Sequence, residues 1–206
     1  MITTALIALA AATAAPQATC ATPEQATAVR SFYASLPSAP PLVARRHMNL
    51  AEEVVSSGLP TDYATGVSGA HFKAVWDSVA EWPVAFFIMD QKGWIMKFEG
   101  PVPALLGNKR NDAFTDVKAP GANGLISHIR PDLVTSIHAV ALPGGVGRDG
   151  KIREGMTRAV IFYDASQESV FGLYASLAGE DLNKAAIPAF EKTMALMRTL
   201  PQVCGR

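Results

Sequence analysis

Seven segments from residue 84 onward read as β-strands, and no long helical period separates them: Val84–Met89, Trp94–Phe98, Asp112–Val117, Leu125–Arg130, Leu133–Leu142, Met156–Tyr163 and Ser169–Tyr174. Parallel neighbours need crossover connections of about a dozen residues or more, usually a helix. Strands that follow one another this closely must therefore pair antiparallel. Asp90-Gln91-Lys92-Gly93 marks a hairpin, Pro131-Asp132 a break, and Asp164-Ala165-Ser166-Gln167 another turn. Helical patterns sit only at the two ends of this run. Thr22-Pro23-Glu24-Gln25 combines an N-cap, a proline at the first helical position and a capping-box partner, and predicts a helix to about Ala34. Leu42–Arg46 is a short helical piece, and Asn49-Leu50-Ala51-Glu52 repeats the capping pattern for a helix ending at Gly58. Phe72, Val75, Trp76 and Val79 follow a helical period, as do Ala186, Phe190, Met194 and Met197 near the end. The fold class is α+β: an antiparallel sheet flanked by N-terminal helices and a C-terminal helix. Such a sheet can leave one face free, which suits a flat apolar ligand.

At 206 residues the chain fits one domain over residues 22–206, preceded by an extension over residues 1–21. Eighteen basic residues balance eighteen acidic ones, which argues against nucleic acid as the main partner. No apolar run reaches the ~20 residues that span a bilayer. Ile2–Ala15 is apolar, and Ala12-Thr13-Ala14 resembles a cleavage site, yet no Lys or Arg precedes the run. It reads either as a secretory signal or as a flexible extension. Cys20 and Cys204 are the two cysteines, and a bridge between them would need an oxidising compartment. Zinc-finger spacing, a Walker loop, a nucleophile elbow and a His-Glu-x-x-His helix are all absent. Gly144-Gly145-Val146-Gly147 lacks the Lys-Ser/Thr of a phosphate loop; Pro143–Gly150 reads as a glycine-rich loop.

The four histidines, His47, His71, His128 and His138, do not cluster at metal-ligand spacing. His128 and His138 lie on adjacent strand segments, and His128 and Arg130 share one strand face by alternation. On pattern alone, a lone strand histidine is a hydrogen-bonded structural residue.

His71-Phe72-Lys73-Ala74-Val75-Trp76-Asp77-Ser78-Val79-Ala80-Glu81-Trp82 resembles the helix segment of the ChuX/HutX haem-utilisation family. The likeness continues through Ile95-Met96-Lys97-Phe98-Glu99-Gly100-Pro101-Val102-Pro103, Ser127-His128-Ile129-Arg130 and Thr157–Asp164, covering roughly residues 25–200. Related halves occur in the HemS/ChuS haemin-degrading proteins. The resemblance implies a HemS/ChuX-like fold, a cleft between sheet and helices with haem b as bound cargo, and a homodimer in the cytoplasm. A cleaved signal over residues 1–14 would instead place the protein in the periplasm. It implies His128 as the axial iron ligand. Some members place a second histidine on the hairpin, where this chain has Asp90; Met89, Tyr163, His138 or water are the replacements. Arg130, Lys109 and Arg110 are the candidate propionate partners, since haem carboxylates need cations. The function implied is a non-enzymatic haem carrier in iron utilisation, exchanging cargo with a haem ABC transporter or a haem-processing enzyme. The alternatives are a haem-degrading enzyme, or a module binding another apolar small molecule.

Overall fold

A computed structural model describes residues 17–91, 94–107, 113–118, 126–147, 149–180 and 184–205. Lys109, Arg110, the apolar run before residue 17, and the turn residues Lys92 and Gly93 lie outside them. Among the described residues, nine strands form two antiparallel sheets.

Helix α1 (Pro23–Ser35) begins at the expected capping box: Thr22 Oγ1 accepts from the Gln25 amide, and Gln25 Oε1 accepts from the Thr22 amide. Helix α2 (Pro41–Met48) starts on a proline and stops at Asn49, which turns left-handed at φ 53°. Asn49 is thus the C-cap of α2, not the start of a new capping box. Helix α3 (Glu52–Gly58) starts after Ala51, which makes no side-chain cap, and all its residues are buried.

Strand β1 (Ala64–Ser68), which carries no strong strand pattern, leads into α4 (Phe72–Val79). Strands β2 (Ala85–Gln91) and β3 (Trp94–Gly100) form the expected hairpin. Three short strands follow: β4 (Leu105–Gly107), β5 (Thr115–Lys118) and β6 (Ile126–Ile129). Then come the long β7 (Val134–Val146), β8 (Ile152–Asp164) and β9 (Ser169–Ser176), and finally α5 (Ile187–Thr199). Pro143–Val146, expected as loop, continues β7, because Gly145 and Val146 still pair with Arg153 and Ile152.

The large sheet runs β1-β7-β8-β9-β2-β3, and the small one β4-β5-β6. His128 and His138 are therefore not on adjacent strands: β6 belongs to the small sheet and β7 to the large one. The expected free sheet face is also absent over most of the large sheet. Along β8, Val160 and Phe162 point into one apolar cluster, with Trp76 of α4 and Phe190 of α5. Ala159, Ile161 and Tyr163 point into a second, with Val29 and Tyr33 of α1, Leu42 of α2 and Val55 of α3. Helices cover both faces, which is why Ala159–Tyr163 is an unbroken apolar run. The small sheet turns Leu105, Val117 and Ile129 onto the first cluster. Its opposite face carries Leu106, Asp116 and His128 in one cross-strand row.

Candidate functional site

Where the α1–α2 corner leaves the large sheet, a cleft of about 350 Å³ opens over β8, β9, β2 and β3. Its helical wall is Phe32, Leu36, Leu42, Val43 and His47; its sheet floor includes Ile88, Ile95, Tyr174 and Leu177. Strand pairing puts these floor residues together: Ile88 faces Lys97, Asp90 faces Ile95, and Phe86 lies between Tyr174 and Glu99. Residues two apart along one strand share a face, so Ile88 and Asp90 on β2, with Ile95 and Lys97 on β3, share the side under α2.

Two cations, Lys97 and Arg153, line the same cleft. Lys97 lies 3.9 Å from Glu180 and 5.9 Å above the Phe86 ring. Arg153 pairs with Asp149 at 3.1 Å. Both pairs are partly open to water, where an ion pair is worth about 0–1 kcal/mol and exchanges readily for an incoming anion. Tyr174 is buried, which raises its phenol, and the Glu52 charge raises it further. At neutral pH it is a protonated hydroxyl, not a phenolate.

Beside the cleft, a partly buried ion network fastens α2 to the sheet. Asp90 Oδ2 accepts from Arg45 (3.0 Å) and Arg46 (2.6 Å), and its side chain is 1% exposed. Arg45 also meets Glu168 at 2.8 Å and Glu52 at 3.8 Å. Burial works to raise the Asp90 carboxyl, but the two guanidiniums outweigh it and hold it below the ordinary aspartate value. Asp90 is thus an ion-pair anchor.

The residues singled out in the sequence are dispersed. His128 stands on the outer row of the small sheet, its side chain 66% exposed, with Nδ1 2.6 Å from Asp116 Oδ1. Phe114 meets its ring edge-on at 6.5 Å, and Arg130 stacks 5.3 Å from Phe114. Arg130 spends its guanidinium on both oxygens of Asp132. Met89 packs, half-buried, against the opposite cluster, on the Trp76 side. Tyr163 is buried, its hydroxyl 2.7 Å from Ser56 Oγ. His138 is buried edge-on to Tyr163 and sits so close to Gly66 that a Cβ there would lie 2.6 Å from its ring. The structure thus brings His128 and Arg130 together around Phe114, and none of these five residues lines the cleft. His47, Lys97 and Arg153 do line it, and sequence pattern does not single them out. The available signal is Val43 and His47, four residues apart on α2, both exposed on a helix whose other side is apolar.

The lining fits a porphyrin in kind: apolar walls, one imidazole, and two cations for carboxylates. At about 350 Å³ the cleft is at the small end of ligand sites, which span ~300–1,000 Å³.

Among curated proteins, none matches the chain by sequence. Several solved structures share its fold. A crystal structure of ChuX is 20% identical, with TM-score 0.64 over 84% of this chain and 99% of that one. Holo-PhuS, a heme-binding protein from Pseudomonas aeruginosa, is 18% identical, with TM-score 0.59 over 93% of this chain and 50% of that one. ChuS, an E. coli heme oxygenase, is 14% identical, with TM-score 0.59 over 84% of this chain and 48% of that one. The chain spans about half the length of the latter two, and at these identities the likeness concerns the fold. The sequence itself carries the assignment: residues 65–193 match the family described as Haem utilisation ChuX/HutX, and the chain belongs to that family.

Proposed function

We propose that the protein is a haem carrier and that the cleft between α1–α2 and the large sheet is where it holds its cargo. The observation that carries this reading is the joint lining of one apolar cleft by His47, Lys97 and Arg153. Family membership supplies the ligand class, and holo-PhuS, a heme-binding protein of the same fold, agrees with it. A small cleft whose two cations are partly open to water favours handover over retention, which suits a carrier more than an enzyme. Titrating the purified protein with haemin is expected to give a shifted Soret band saturating at about one haem per chain; an unshifted band at micromolar protein overturns the reading. With ascorbate, oxygen and catalase added, a carrier keeps that band. Its steady loss under those conditions identifies a haem-degrading enzyme instead.

We infer further that the protein works in an oxidising compartment, outside the cytoplasm. Support comes from the Cys20–Cys204 disulfide, which joins the two ends of the domain, and from the apolar run at Ile2–Ala15. Alkylation of the protein in freshly broken native cells, without reductant, is expected to leave both thiols unlabelled. Full labelling places it among reduced proteins.

A further inference from the structure

Three consecutive residues of α2 point two ways. Arg45 and Arg46 reach to Asp90 on β2, while His47 lines the cleft. We propose that His47 is the side chain that coordinates haem iron in this protein, and that the Asp90–Arg45–Arg46 clamp is the device that aims it. The proposal rests on the haem-cleft reading above and goes further, by assigning the donor and the residue that positions it.

The helix geometry carries the first half. Pro40, Val43 and His47 fall at i, i+3 and i+7, one stripe of a helix, and all three line the cleft. Phe32 of α1 lies nearly parallel to the His47 ring, at 6.2 Å between centroids and 21° between planes. The imidazole is thus oriented by an aromatic neighbour while remaining exposed. Ferric haem takes nitrogen, sulfur or phenolate donors. Among the described residues no sulfur lines this cleft, and the phenol that does, Tyr174, is protonated and buried. The imidazole is the donor left. His128, by contrast, lies on the outer face of the other sheet.

The clamp carries the second half. Pro41, Leu42 and Ala44 seat the eight-residue α2 on its apolar side, and an ion pair at its C-terminal half fixes the end that carries His47. Asp90, buried on the central strand side of the hairpin, binds the two guanidiniums that immediately precede His47. The Asp90 carboxylate is 1% exposed, so losing both guanidiniums would leave its charge unpaired away from water. The pairing resists rotation of α2 and keeps the stripe holding His47 over the sheet. Asp90 therefore acts as a positioning residue, without touching the ligand.

Haemin binding to wild type and to four single variants tests both halves, read by the Soret position and by electron paramagnetic resonance. His47→Ala is expected to keep haem in the apolar cleft but lose the imidazole-bound spectrum, and added free imidazole is expected to restore it. His128→Ala is expected to match wild type. Asp90→Asn is expected to weaken binding about ten- to hundredfold and to give a mixed spectrum, as loss of a ligand's supporting partner does; Asp90→Glu is expected to recover most of both. An Asp90→Asn protein that binds like wild type removes the clamp. If His47→Ala gives the wild-type spectrum, or His128→Ala alone abolishes it, the donor assignment falls while the haem reading stands. A wild-type protein that shifts no Soret band overturns both.

Discussion

Glu52 sits at the first position of α3 with its carboxyl almost wholly removed from water. Burial raises its pKa from the ordinary 4.5 to about 7, against the hydrogen bond from Ser169 and the charge of Arg45. The folded protein therefore holds this proton more tightly than the unfolded chain. Its contribution to stability is full below about 4.5 and is lost as pH rises toward 7. Across that window the loss is about 3 kcal/mol. Glu52→Gln keeps the acceptor for Ser169 and removes the titration. Urea unfolding near pH 4.5 and above pH 7 is expected to show the variant gaining on wild type as pH rises; parallel curves contradict the assignment. At this scale the sequence was only partly legible. That Asp90 stands on the hairpin was visible; that Arg45 and Arg46 neutralise it was not, because the partners lie more than forty residues away.

Between α4 and α5 the joint is polar at its centre. Thr193 Oγ1, itself buried, accepts from Trp82 Nε1 at 3.0 Å and lies 2.8 Å from Ser78 Oγ, beside the apolar cluster that holds Trp82. Thr193→Val preserves shape and strands a buried indole N–H, a loss of about 1–3 kcal/mol. Chemical denaturation is expected to report it, and an unchanged midpoint would show that the hydroxyl is dispensable. The elements themselves are legible in periodicity: α4, the β2–β3 hairpin, β8 and α5 stand close to where their patterns put them. Differences fall where side-chain pattern is silent. The short β1 and β4 carry too few alternating residues to register, and Asn49, with the same polar side chain that caps helix starts, ends α2 instead.

Over the whole molecule, Cys20 and Cys204, 184 residues apart in sequence, tie the segment before α1 to the turn after α5. Cross-linking so long a loop removes much of the unfolded chain's freedom and is worth about 2–5 kcal/mol. Reduction, or the Cys204→Ser variant, is expected to lower the melting temperature in calorimetry while leaving the fold intact. Equal midpoints with and without reductant would mean that the native protein lacks the bridge. The same long-range closure holds α1 and α5 on opposite faces of one sheet, and the cleft lies at the rim of the first of these layers.

Local order in the sequence determined the fold class: strand segments joined without crossover helices can only pair antiparallel, and the helices at either end can only cover the resulting sheet. Motifs around Trp76, Phe98 and His128 determined the family. Which histidine faces which surface was settled by the tertiary structure alone. Alternation assigns a residue to one face of its strand, but pairing between distant strands and docking of helices decide what lies over that face. His128 fell to the outside of a small second sheet and His47 to a cleft built from residues between Phe32 and Glu180. No periodicity records a meeting of residues so far apart.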